Sequence, residues 1–255
     1  IHEPGYCELD LVSHSGPHAA GEFIYSLNLT DIHSGWCETR AIMGKSEANV
    51  VEALEDIRRH LPFRLKAIDT DNGSEFINHH LVGYCKEQGI VFVRGRPYKK
   101  DDNAHIEQKN WTHVRKLLGW ERYDTPEALE AINALYRGPW RAMMNLYQPC
   151  VKLKEKVRTG SRLTRRYDAP QTPLERLAAS YEGQPLPKAL KQLQDVQHQL
   201  DPFKLGEEID RFIARLSKLP QAYERPKFTT LVQRTPSPRG GGEQPRNHPN
   251  TSYAR

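Results

Sequence analysis

Phe23, Tyr25, Leu27 and Leu29 alternate with other residues across 22–30, and this period of two predicts a half-buried strand with those four side chains on one face. A strand from Cys7 to Val12 precedes it and one from Trp36 to Met43 follows, with turn chemistry at Ser13-His14-Ser15-Gly16-Pro17 and Asp31-Ile32-His33-Ser34-Gly35. An antiparallel meander of three strands is expected. Val50, Val51, Leu54, Ile57 and Leu61 then recur at helical spacing behind Ser46, a candidate N-cap, and Pro62 stops the run. Arg64 to Asp71 reads as a fourth strand, Glu75 to Gln88 as a helix closed by Gly89, and Ile90 to Val93 as a fifth strand. Residues 94–103 have almost no apolar periodicity and predict a mobile loop, after which a helix begins near Ala104. Thr125-Pro126-Glu127 marks another helix start, with Leu129, Ile132, Leu135 and Tyr136 on its apolar face and Pro139 breaking it before 140–147.

Past Cys150 the pattern changes. Lys152, Lys154, Lys156, Arg158, Arg162, Arg165 and Arg166 stand against the single acid Glu155. A spacer runs to Pro187. Leu190, Leu193, Val196 and Leu200 then return to helical spacing, and Asp201-Pro202 caps a second helix bearing Ile209, Phe212, Ile213 and Leu216. From Pro220 onward Pro, Arg, Gly, Ser and Asn dominate, which predicts a disordered tail. The expected organisation is an α/β core over 1–150, a basic linker or small subdomain over 151–187, a helical hairpin over 188–219 and the tail over 220–255.

The formal charge is +5 with a pI near 9.0, a mild excess that matters because it clusters at 152–166. No run approaches the roughly 18 apolar residues that span a bilayer, so no membrane partner is expected. Cys7, Cys37, Cys85 and Cys150 form no Cys-x-x-Cys pair and read as reduced core residues rather than zinc ligands or disulfides. His14, His18, His79 and His80 have no metal-ligand spacing with any cysteine and read as structural.

Three acids change the picture. Asp10 lies in the apolar stretch Leu9-Asp10-Leu11-Val12, Asp71 opens Asp71-Asn72-Gly73-Ser74-Glu75-Phe76, and Glu107 follows Asp71 with thirty-five residues between them, inside Asn103-Ala104-His105-Ile106-Glu107-Gln108-Lys109-Asn110. In these words residues 5 to 150 resemble the catalytic core of retroviral-type integrases and insertion-sequence transposases, the Asp-Asp-35-Glu family. The Gln108-Lys109-Asn110 ending is closer to some insertion-sequence members, which favours a bacterial-type transposase. The resemblance implies a ribonuclease H-like mixed five-stranded sheet flanked by helices. It also implies two Mg²⁺ or Mn²⁺ ions, one held by Asp10 and Asp71 and the other by Asp10 and Glu107, with Asn72, Asn103 and His105 as possible support. Hard carboxylate oxygens suit such ions, and a metal pair suits phosphodiester chemistry.

The resemblance implies DNA cleavage and strand transfer at element ends and target DNA, by a homo-oligomer in the bacterial cytoplasm at the nucleoid. The chain opens at Ile1 rather than Met, and an upstream helix-turn-helix region that reads element ends is expected to be missing. Periodicity alone does not separate Asp71 from Asp69, which shares its face, nor Glu107 from Asp101 and Asp102. A nuclease limited to hydrolysis, or a non-catalytic DNA-binding or assembly module, are the other readings. Lys109, His113 and Lys116 recur at about one helical turn and, with Arg115, offer a row for a DNA backbone. The Lys152, Lys154, Lys156, Arg158, Arg162, Arg165 and Arg166 cluster, beside Tyr167, offers another.

Overall fold

The computed structural model describes residues 2–70, 79–94 and 104–223. Strands β1 (Tyr6–Ser13), β2 (Ile24–Asp31) and β3 (Cys37–Met43) form the antiparallel meander. β4 (Ala67–Thr70) and β5 (Val91–Arg94) join it in parallel, giving the order β3-β2-β1-β4-β5. β1 is therefore central, with antiparallel strands on one side and parallel strands on the other. Its register aligns Asp10 with Asn28, and Glu8 with Asp69.

On one face, Cys7, Leu9, Leu27, Leu29, Ile42 and Ile68 pack against Val50, Leu54 and Ile57 of α1 (Glu47–His60) and against Leu81 and Cys85 of α2 (His79–Glu87). Ser46 caps α1 by accepting from the Asn49 backbone N–H at 3.3 Å. Residues 75–78, the expected first turn of the second helix, lie outside the described residues, as do 95–103 of the expected loop.

The opposite face differs from expectation. β2 is not half-exposed: Ser26 and Asn28 are fully buried, as are Leu27 and Leu29. Its polar side chains lie under α3 (Ala104–Lys109), which continues through a π-helical stretch, Asn110–Arg115, into α4 (Lys116–Leu118). Farther along, Ile24, Ala41 and Leu118 pack with α5 (Pro126–Leu135) and with Ile209 and Leu216. Thr125 caps α5 as expected, and Gly138 and Pro139 interrupt the helical run beyond it.

β3 is an edge strand, and its outward peptide groups need partners. Two asparagines supply them. Asn133 accepts from the Ala41 N–H and donates to the Ala41 carbonyl, both at 2.9 Å, and Asn145 does the same at Cys37 at 2.9 and 2.8 Å. Each amide side chain stands where a further strand's peptide would.

Residues 151–187 are not an irregular linker. β6 (Leu153–Thr159) and β7 (Arg162–Tyr167) form an antiparallel hairpin, and α6 (Pro173–Ala179) follows with a complete Thr172–Glu175 capping box. α7 (Lys188–Gln199) and α8 (Pro202–Leu216) are the two expected helices. They pack into the core, Leu190 with Trp36 and Leu146, and Ile209 with Ile132 and Leu135. Residues 222 and 223 are tied down rather than loose: their backbone N–H groups donate to Asp124 at 2.7 and 3.0 Å. Residues 224–255 lie outside the described residues. Among the described residues no helix is long and apolar enough to cross a membrane.

Candidate active site

The site is built on the polar face of β1 and β2. Strand alternation puts Glu8 and Asp10 on the side opposite Cys7 and Leu9, facing α3. A buried carboxylate needs hydrogen-bond donors. Glu8, 1% exposed, accepts from the backbone N–H of Ile106 at 2.6 Å, in the first turn of α3, where helix N–H groups lack intrahelical acceptors. Asp10 is half-buried and accepts from Asn110 Nδ2 at 2.6 Å and from its own neighbour's N–H, Leu11, at 2.7 Å. The helix is thus pinned to β1 at 106 and at 110, and Glu107 lies between the two pins.

Asn110 is held in turn. Its Oδ1 accepts from Asn28 Nδ2 at 2.8 Å, and Asn28 Oδ1 accepts from Cys37 Sγ at 2.8 Å and Thr39 Oγ1 at 3.2 Å. Burial pushes the Cys37 thiol pKa up, so it stays a neutral donor. The chain Cys37, Asn28, Asn110, Asp10 fixes which way each amide points, because only one orientation of each satisfies both neighbours. Asn110 also opens the π-helical stretch, and the wider turn there changes which residues share a face.

The other expected site residues divide. Asp71, Asn72 and Asn103 lie outside the described residues, and His105 and Glu107 are in α3 with side chains outside them. Asp69 lies on β4 directly beside Glu8. Among the described residues no group of three His, Cys, Asp or Glu side chains is arranged to hold a metal ion. Glu8, Asn28 and Asn110 were not singled out from sequence. The period-two alternation of Ser26, Asn28 and Thr30 was the available signal, but it marks a polar face and not a covered one.

The row Lys109, His113, Lys116 does not form one surface. His113 is 3% exposed, hydrogen-bonded to Thr112 at 2.8 Å and set edge-on against Trp140, and burial lowers its pKa well below the usual histidine value. The π-helical turn breaks the spacing on which the row depended. Lys109 reaches back over the Gly35 turn, Arg115 stacks 4.1 Å from the Trp120 ring, and Lys116 is exposed.

In the second cluster Lys152 also departs from expectation. Its ammonium donates to the carbonyls of Ile32 and His33, and burial lowers its pKa. Lys154, Lys156, Arg158, Arg162, Arg165 and Arg166 are exposed. The four cysteines are free thiols, three buried and Cys150 half-buried.

The family model described as the integrase core domain matches residues 2–100. An uncharacterised protein, y4rM, of Sinorhizobium fredii (strain NBRC 101917 / NGR234) is 42% identical over 173 residues, 68% of this chain and 49% of that protein. The Gag-Pro-Pol polyprotein of bovine leukemia virus is 28% identical over 120 residues, 47% of this chain and 8% of the polyprotein. The chain therefore spans about half the length of the first relative and a small part of the second. Among solved structures, the catalytic core domain of BIV integrase aligns at 17% identity with a TM-score of 0.46, covering 70% of this chain and 97% of that one. With a mixed β3-β2-β1-β4-β5 sheet flanked by helices and a family match over its first hundred residues, the chain carries an integrase core domain of the ribonuclease H-like type.

Proposed function

We propose that this chain is the catalytic region of a transposase or integrase, a polynucleotidyl transferase that cuts DNA strands and joins their 3′ ends to target DNA. The observation that carries this reading is the pinning of α3 across the central strand, Glu8 to Ile106 and Asp10 to Asn110, which sets Glu107 beside Asp10. Chain continuity adds Asp71, the residue after Thr70, whose strand partner Leu9 adjoins Asp10. Asp10, Asp71 and Glu107 would hold two Mg²⁺ or Mn²⁺ ions, and Asn72, Asn103 and His105 are candidates for support. The fit rests on donor chemistry: carboxylate oxygens are hard ligands, and each Asp10 oxygen, although it accepts a hydrogen bond, has a second lone pair. When bound, such ions neutralise phosphate charge and lower the pKa of water.

The chain's own residues orient that chemistry. Asn110 holds Asp10 in one rotamer, and the anchored helix keeps Glu107 from swinging away. Hydrolysis breaks one P–O bond and frees a 3′-hydroxyl. In transfer that hydroxyl forms a new phosphodiester as a target 3′-oxygen leaves, so one bond is lost for each gained. Lys116, Lys156, Arg158 and Arg165 are exposed cations available to DNA phosphates. A second copy of the chain on paired DNA ends is the expected assembly.

The test compares wild type with Asp10→Asn and Asp71→Asn, using plasmid nicking, joining of a 3′-ended oligonucleotide, and Mn²⁺ titration by calorimetry. Both variants should lose at least about a hundredfold in nicking and joining and weaken Mn²⁺ binding while keeping the wild-type melting temperature. Substantial residual nicking in either rejects its assignment. Nicking without joining in the wild type would leave a nuclease.

A further inference from the structure

The β6–β7 hairpin projects seven cationic and apolar side chains that no other element covers, and its register sorts them. Residues paired across an antiparallel ladder share a face. Lys156 pairs with Arg165, Arg158 with Leu163, and Leu153 with Tyr167, so one face presents three cations, two leucines and a tyrosine with no acid. The other face presents Glu155 opposite Arg166, joined at 3.6 Å, with Val157 opposite Thr164 and Thr159 opposite Arg162. The charge cluster of the sequence is therefore one-sided in space.

Both faces are exposed, with Leu153 at 49%, Val157 at 43% and Tyr167 at 53%. A two-stranded ribbon alone is marginal in water. This one is fixed at its base. Asp168 accepts from the Lys152 N–H at 2.6 Å and from Arg176 at 2.5 Å, and Arg176 also donates to the Cys150 carbonyl at 2.7 Å. A ribbon about 5 Å between strand axes and roughly 23 Å long is held out from the body with a cationic, partly apolar side. A B-DNA major groove, about 12 Å wide, admits such a ribbon.

We infer that the hairpin lies in the major groove of duplex DNA with its Lys156, Arg158 and Arg165 face turned to the DNA and its Glu155–Arg166 face turned away. The inference rests on reading this chain as DNA-acting. The cations reach phosphates and guanine edges, while Leu163 and Tyr167 cover sugars and thymine methyls.

Two charge-matched doubles test it in the full 255-residue chain: K156A/R165A on the inferred binding face and R162A/R166A on the other. Binding to a short labelled duplex is followed by anisotropy from about 50 to about 200 mM salt. K156A/R165A should weaken binding at least about tenfold and reduce the salt slope by about two, with R162A/R166A within about threefold of wild type. Wild type should protect guanine N7 from dimethyl sulfate, and K156A/R165A should not. All four side chains are exposed, so unchanged melting temperatures are expected and separate binding loss from unfolding.

Equal loss in the two doubles overturns the face assignment. Absent N7 protection overturns the groove, and tighter binding of single-stranded DNA or of an acidic protein overturns the occupant. Each of these leaves the acid-site reading standing, because the nicking assay of Asp10→Asn judges that separately.

Discussion

Asn110 shows how one amide can matter as much as the acid it holds. It donates to Asp10 and accepts from Asn28, so its removal leaves a half-buried carboxylate without one donor and a buried amide without its acceptor. Asn110→Ala should weaken Mn²⁺ affinity or strand cleavage by about 10–100-fold, the usual range for a residue that orients a metal ligand. Calorimetric Mn²⁺ titration beside an unchanged Kd for DNA checks this; an equal loss in both would point to a merely structural role. The motif ending in Asn110 was legible in sequence, but its role was not, because the partner strand lies a hundred residues away. Lys152 and His113 teach the converse. Both were read as surface cations from composition and spacing, and both are committed to the interior by neighbours remote in the chain, Ile32 and His33 for one and Trp140 for the other.

At the scale of elements, the caps and strong periodicities were legible. Ser46 and Thr125 cap the helices expected of them, and the five core strands appear in the expected order. The β6–β7 hairpin was not legible. Its apolar positions are few, and with both faces in water it leaves almost no period-two contrast. Its order depends on one ion pair at its base. Arg176's hydrogen bonds hold the Asp168 carboxyl below the usual carboxylate range. Asp168→Ala leaves Arg176, 8% exposed, without its carboxylate and should cost the hairpin about 1–3 kcal/mol of local stability. Amide hydrogen exchange reads this as lost protection over 152–168 with that of β1 and β2 unchanged. Uniform loss across the sheet would mean that hairpin and core open together.

At the scale of the whole molecule, two buried histidines couple stability to acidity. Burial lowers the His14 pKa from 6.5 to about 3, with Arg115 adding to the shift, and His14 Nε2 lies 2.7 Å from Ser26 Oγ. Burial likewise lowers His113, with Lys109 adding to it. Below about pH 6.5 the unfolded chain takes up protons at these positions that the folded chain does not, so their effect is absent above that pH and destabilises as pH falls toward 3. Each contributes a slope of at most about 1.4 kcal/mol per pH unit. Thermal melting between pH 7 and pH 4 should show a falling midpoint, and His14→Gln, which keeps a polar partner for Ser26, should flatten the fall. An unchanged slope would show that His14 is protonated in the folded state.

The sequence by itself determined the order of the core strands, the helix starts and the spacing of Asp10, Asp71 and Glu107, because these follow from side-chain periodicity and local backbone preference. Only the tertiary structure decided that the polar face of β2 is buried, that Asn110 holds Asp10, and that the basic cluster divides between a hairpin face, a paired arginine and a buried lysine. Local pattern records which residues resemble one another. Which of them meet a partner, and so keep or lose water, is set by chain segments brought together from far along the sequence.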